Sequence, residues 1–244
     1  MSLYLYCLID DDANVEDVIF ASEREGISGS TVTLFCPGDF GLLVSDFGGV
    51  SVPVTRENVV RHAGVVSSLL PFTTPLPFRF GTLATEPELE SFLASRSQAL
   101  RAKQALVRGC VEMSVKIIWD RAWTEEAAAK ANHHEGPGTA FLAEKRREIL
   151  GSEARSVEAK RIAGWLEERL ADILRDKAFQ TNSTEKLLVT ASHLVPREWV
   201  EEYRSRLKNL QLERPELYFL ASGPWPPYSF ANIDLEFKTQ FGVS

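Results

Sequence analysis

Leu217-Tyr218-Phe219-Leu220, followed closely by Gly223-Pro224-Trp225-Pro226-Pro227-Tyr228-Ser229-Phe230, is the run on which the fold turns. The first four residues read as a strand. The next eight contain three prolines, which remove three backbone donors and fix φ at about −65°. The expectation is a stiff, extended connector that continues neither a central strand nor a helix. It carries three rings at low entropic cost, so it either clamps its own domain or presents those rings to a partner.

Working outward, Pro196-Arg197-Glu198 starts a helix that carries Trp199, Val200, Tyr203, Leu207 and Leu210. Before it, Glu185 to Val195 reads as a strand with Leu187, Val189 and Ala191 on one face, and Phe179 to Ser183 as a short edge strand. Thr139 to about Ala178 has helical spacing through Phe141, Leu142, Ile149, Leu150, Val157, Ile162, Trp165 and Leu166. A straight helix of that length would span roughly 60 Å, which predicts a bend near Gly151-Ser152 or a projecting coiled-coil arm. Val111, Met113, Val115, Ile117 and Trp119 alternate along a half-buried strand that opens this half. The order β-α-β-β-α-β is the ferredoxin-like pattern. The proline-aromatic run then becomes the strap that closes that domain.

The first half reads differently. Leu3 to Ile9 is a buried strand ending at Asp10-Asp11-Asp12, and a short helix is expected at Val15 to Ala21. Thr31 to Cys36 and Gly41 to Asp46 flank the turn Pro37-Gly38-Asp39-Phe40, with Val50 to Val54 able to pair alongside. Val59, Val60, Ala63, Val66, Leu69 and Leu70 recur at three and four from Glu57 to Leu70, giving an amphipathic helix stopped by Pro71. Pro75 to Leu83 reads as a strand with Leu76, Phe78 and Phe80 on one face and Arg79 on the other, and Gly81 marks a bulge or close approach. Thr85-Glu86-Pro87-Glu88 starts a helix running to about Gly109, with Leu89, Phe92, Leu93, Leu100 and Leu106 on its buried stripe. The expected fold is α+β in two domains. Residues 1–109 form an N-terminal α+β domain with an antiparallel sheet. Residues 110–244 form a C-terminal ferredoxin-like domain with a long helical segment and a variable loop at about 121–138.

Charge and composition narrow the function. With 27 basic against 34 acidic residues the net charge is −7, and no block of like charge stands out, which argues against nucleic acid or a lipid membrane as partner. The opening run has no basic segment and is too short for a signal peptide. The longer uncharged stretches, His62 to Phe78 and Leu217 to Ile233, are broken by prolines and polar residues, so neither predicts a spanning helix. Cys7, Cys36 and Cys110 lie in mainly apolar segments and read as reduced core residues of a cytoplasmic protein.

No catalytic motif emerges. There is no G-x-S-x-G, P-loop or G-x-G-x-x-G, and Glu125-Glu126, Glu167-Glu168 and Glu201-Glu202 fall on charged helical faces. Adjacent His133 and His134 beside Glu135 on a loop make no metal site, because no further ligand stands at the right spacing. The expectation is no catalytic, metal or cofactor site. The alternative class is an enzyme with an unrecognised site between the domains, which a cleft of convergent, perturbed titratable groups would favour.

Four motifs together resemble the gas vesicle protein F/L family. They are Leu76-Pro77-Phe78-Arg79-Phe80-Gly81-Thr82; Glu112 with Val115-Lys116 before Trp119-Asp120; Gly138 with Phe141-Leu142 and Lys145; and Gly223 to Phe230. They occur in family order over nearly the whole chain, and Leu3-Tyr4-Leu5-Tyr6 is similar to the family's opening strand. The last motif is the most specific. The resemblance implies a non-enzymatic role in gas vesicle formation, through association with the small hydrophobic shell subunit and with other accessory proteins. It also implies two α+β domains and no catalytic residues, and leaves F-like and L-like membership open. The candidate contacts are Trp225, Tyr228 and Phe230, then Phe78, Arg79 and Phe80, which either bind the partner or line the domain interface.

Overall fold

The computed structural model describes residues 2–9, 18, 25–119, 156–181, 187–231 and 233. Two compact units emerge: residues 1–112 with those from Pro224 onward, and residues 113–223. The proline-aromatic run, expected to close the second half, groups with the first unit. The helix expected at Val15 to Ala21, apart from Val18, lies outside the described residues. So do the loop 121–138, the bend at Gly151-Ser152, and the third motif.

In the first unit the central strand is β1 (Ser2–Ile9). It pairs antiparallel with β3 (Gly41–Phe47) on one side and with two short strands, β4 (Leu76–Pro77) and β5 (Leu83–Ala84), on the other. β2 (Val32–Phe35) adds to β3 from the turn whose Phe40 N–H reaches the Pro37 carbonyl. Central position explains the composition of β1: every residue from Leu3 to Ile9 is buried, so it carries apolar side chains on both faces instead of alternating. A register shift between Leu5 and Cys7 marks a bulge, and Tyr4 and Tyr6 both face the core that contains His62.

Three expectations are corrected here. Val50 to Val54 forms no strand; Pro53 lacks a donor, and its carbonyl instead accepts from Thr55 N–H and Asn58 Nδ2. The single strand expected at Pro75 to Leu83 is two short ones separated by a turn, in which the Arg79 carbonyl accepts from both the N–H and the hydroxyl of Thr82. Gly81 adopts φ +84° there, the left-handed region a side chain avoids. The helix α1 (Arg56–Ser68) buries His62, Val65, Val66 and, just beyond its end, Leu69, whereas Val59 and Val60 face solvent. A histidine therefore occupies the stripe that sequence spacing assigned to valines.

The helix α2 (Glu86–Val107) starts as expected. The Glu88 carboxylate accepts from the Thr85 N–H at 2.9 Å and its hydroxyl at 2.8 Å, and those bonds hold Glu88 below the ordinary carboxylate pKa. Leu89, Leu93, Leu100, Gln104 and Val107 are buried, Gln104 because its amide donates to the Ile9 carbonyl at 2.7 Å. Leu106 and Phe92 are only half-buried. Cys36 is exposed, against the expectation of a core thiol, while Cys7 and Cys110 are buried.

The second unit is built on a four-stranded sheet in the order β7-β8-β6-β9, with β6 (Cys110–Trp119), β7 (Asp176–Thr181), β8 (Leu187–Pro196) and β9 (Leu217–Trp225). Helix α3, residues 156–170, follows β6 in the chain, and α4 (Val200–Glu213) follows β8. The expected helix to Ala178 ends earlier, at a 3-10 turn over Ala171–Ile173, and Asp176 to Ala178 joins β7 instead. Trp199 precedes α4 in its own 3-10 turn and is exposed, so the buried face of that helix is Tyr203, Leu207 and Leu210. Among the described residues, no helix is long and apolar enough to cross a membrane.

Candidate functional site

The proline-aromatic run divides into two conformations. Pro224 and Trp225 complete β9, where an edge position tolerates the missing proline donor. Pro226 and Pro227 then start a single helical turn, α5 (Tyr228–Ala231), in which Phe230 and Ala231 N–H groups donate to the Pro227 carbonyl at 3.1 and 2.9 Å. Proline suits a first turn because its absent N–H would have had no intrahelical acceptor there. The expectation of a purely extended connector is corrected in this half.

Glu112 fixes the turn. Its carboxylate is buried and accepts from the Ser229 N–H at 2.8 Å and the Ser229 hydroxyl at 2.6 Å. A buried carboxylate costs several kcal/mol, of order, unless its oxygens are bonded. Here both are. Residues 117 positions apart in sequence are thereby joined, and two of the four motifs meet.

The first motif, Leu76 to Thr82, and the opening strand meet them around His62. Tyr4 Oη lies 2.8 Å from His62 Nδ1 and accepts from the Gly81 N–H at 3.2 Å. Among the described residues Nε2 has no hydrogen-bond partner. Burial pushes the His62 pKa down to about 4, with the Phe78 carbonyl offsetting part of the drop. The rings of Tyr6, Phe80 and Tyr228 surround the imidazole at 5.7, 5.9 and 6.3 Å between centroids. Tyr6 Oη in turn accepts from the Ile27 N–H at 2.8 Å and lies 3.1 Å from Ser45 Oγ. Gly26 is required beside it, since a Cβ there would stand 2.3 Å from that hydroxyl. Burial also raises the pKa of Tyr4, Tyr6, Cys7 and Tyr228.

These shifts share one largest cause, desolvation, and describe neutral groups packed in the core or, for Tyr228, against it. A poised acid and base would need opposed shifts and a place for substrate. A shallow surface groove along α2 is lined by Pro87, Glu88, Ser91, Phe92 and Ser95 and includes none of these groups. Among the described residues no cluster of His, Cys, Asp and Glu could hold a metal ion. The pair His133 and His134 lies outside them.

The six candidate contacts separate by exposure. Phe78 is 1 % and Phe230 7 % exposed, so both belong to the core. Phe80 is half-buried against Tyr4 and His62. Arg79 is exposed at the turn, and Trp225 and Tyr228 are 48 % and 39 % exposed. Tyr228 keeps one side of its ring against His62 while the rest faces solvent. Sequence reasoning names neither His62 nor Glu112 as a site residue, although both organise the site. A histidine at helical spacing with the buried valines was the available signal.

Known proteins share this fold. Two solved structures superpose over nearly the whole chain: a gas vesicle protein GvpF from an Anabaena species, with TM-score 0.76 at 20 % identity over 96 % of this chain and 97 % of that one, and GvpF from Microcystis aeruginosa, with TM-score 0.74 at 20 % identity over 95 % and 99 %. In sequence, gas vesicle protein L1 of Halobacterium salinarum is 25 % identical over 93 % of this chain and 89 % of its own. Gas vesicle protein F1 of the same organism is 25 % identical over 99 % and 98 %. The family model described as gas vesicle synthesis protein GvpL/GvpF matches residues 2–232, and this chain belongs to that family.

Proposed function

We propose that this protein is a non-enzymatic accessory factor that helps nucleate or build the gas vesicle shell by binding its small hydrophobic subunit in the prokaryotic cytoplasm. The observation that carries the reading is the pair of solvent-facing rings, Trp225 and Tyr228, on a strap anchored by the buried Glu112. An apolar subunit must be kept from aggregating before it assembles, and aromatic side chains on a rigid support cover apolar surface at low entropic cost. Phe80, which packs on the same His62 ring as Tyr228, and its neighbour Arg79 extend the contact. Other accessory proteins of the vesicle are further partners; nucleic acid and lipid are not.

The second unit is taken as a ferredoxin-like domain, supported by the strand order β7-β8-β6-β9 with helices after β6 and β8. In this reading the domain division falls near residue 110, and the strap returns to complete the first domain. The test is capture of purified shell subunit by the wild type and by Trp225→Ala with Tyr228→Ala. Capture should fall about tenfold or more if two aromatic anchors are lost. Undiminished capture by a folded double variant removes the patch.

A further inference from the structure

The two edges of the second unit's sheet are built differently. β7 begins with Asp176-Lys177, and Lys177 pairs with Glu167 of α3 at 2.8 Å, the kind of charge that keeps an edge from recruiting other strands. β9, at the opposite edge, has no charged residue in nine. Its protection comes from α4. The Gln211 side-chain amide donates to the Leu217 carbonyl and accepts from the Phe219 N–H at 2.9 Å, and Arg204 donates to the Gly223 carbonyl at 3.3 Å.

Backbone groups alternate sides along a strand, so Leu217, Phe219, Ala221 and Gly223 all aim theirs away from β6. The Gln211 contact has the pattern of a rung of a neighbouring strand, donor to carbonyl and acceptor to N–H, supplied by one side chain. Midway, Leu220, Ala221 and Ser222 are all exposed, which opens both faces of the strand there; Leu220 is 55 % and Tyr218 51 % exposed.

We propose that the outer edge of β9, Leu217 to Gly223, is a strand-pairing site for an extended, uncharged segment of an apolar partner, with Gln211 as its displaceable cap. A charged segment would find no counter-charge on β9, and the Arg204 guanidinium beside it is already held by Glu201 and the Gly223 carbonyl, so its charge would be brought in at a desolvation cost. An uncharged one meets only backbone groups and the exposed Tyr218 and Leu220. The proposal rests on the preceding reading in taking that partner to be apolar, while the edge itself is argued from geometry.

The probe is a fluorescent, end-blocked peptide of alternating threonine and valine, titrated into the full chain by anisotropy. The wild type should bind it, and Gln211→Ala should bind several-fold tighter because two edge groups no longer need uncapping, each worth about 1 kcal/mol. Ala221→Pro, which deletes one outward N–H and no group facing β6, should weaken binding about tenfold. Peptides N-methylated at alternate residues, in each of the two registers, make the same test without altering the protein, and one register should abolish binding. Equal binding by both N-methylated peptides, or no binding to folded Gln211→Ala, overturns the proposal. So does a wild-type dimer in sedimentation that Ala221→Pro turns into monomer, since a second copy would then occupy the edge. The probe contains no vesicle component, so failure of the gas vesicle reading leaves this result untouched.

Discussion

Each unit of the molecule buries one tyrosine–histidine pair, and the two are built alike up to a point. In the first unit Tyr4 meets His62 Nδ1 at 2.8 Å; in the second, Tyr203 meets His193 Nδ1 at 2.7 Å. Both imidazoles are held near pKa 4 by burial, and neither Nε2 has a partner among the described residues. The surroundings differ. His193 packs against Phe179 and Tyr203 within the layer between helix and sheet. His62 lies where the opening strand, the Gly81 turn and the Tyr228 turn converge, under a ring that reaches solvent. The same buried pair thus serves as plain core in one unit and as the floor of the candidate contact surface in the other.

Acid should break both pairs, and this is the largest effect expected. Each histidine titrates near 6.5 when unfolded and about 4 when folded, so between those values the unfolded chain binds a proton that the folded one refuses. Stability is therefore complete above about pH 6.5 and falls as pH drops toward 4, by an amount on the order of 3 kcal/mol per histidine. The exposed carboxylates Glu88 and Asp172 are held below their ordinary values, so their contribution is lost only below about pH 4.5. Urea unfolding between pH 7 and 5 isolates the histidines. A flat profile there would mean that the pairs open without unfolding the chain.

Next in size is Glu112→Ala, which strips the acceptor from Ser229 and should cost about 3 kcal/mol. Glu213→Ala on the second unit, which removes only the exposed pair with Arg169 at 2.9 Å, should cost under about 0.5 kcal/mol. Equal losses in chemical denaturation would deny that the strap is anchored. The two tyrosines sharpen the contrast further. Tyr4→Phe leaves the Gly81 N–H and His62 without their partner and should cost about 2–3 kcal/mol, while Tyr203→Phe affects His193 alone and should cost about 1 kcal/mol. Trp225→Ala with Tyr228→Ala removes half-exposed rings and should shift stability by only about 1 kcal/mol or less.

Why some of this was legible in sequence and some not follows from the range of the forces involved. Local signals were sound: the Thr85-Glu88 box began its helix, and Pro37 to Phe40 made its turn, because both are settled within a few residues. The split of Pro75 to Leu83 was not visible, since it depends on Tyr4 and Tyr6 holding Gly81 and Phe78 from another strand. The place of the strap was hidden for the same reason. Glu112 and His62, both distant in sequence, draw it to the first unit together with α2 and β4. Exposure at Trp225 and burial at Phe230 also lay beyond composition, because a helical turn begun by Pro226-Pro227 sends them in different directions.

We propose that the exposed rings on this anchored strap are what the protein contributes to building the vesicle. The most direct measurement is vesicle number, counted by electron microscopy, in a gas-vesicle-forming host whose own copy is deleted and replaced by wild type or by Trp225→Ala with Tyr228→Ala at matched soluble levels. Wild type should restore vesicles and the folded double variant should not. Full restoration by that variant would contradict the proposal.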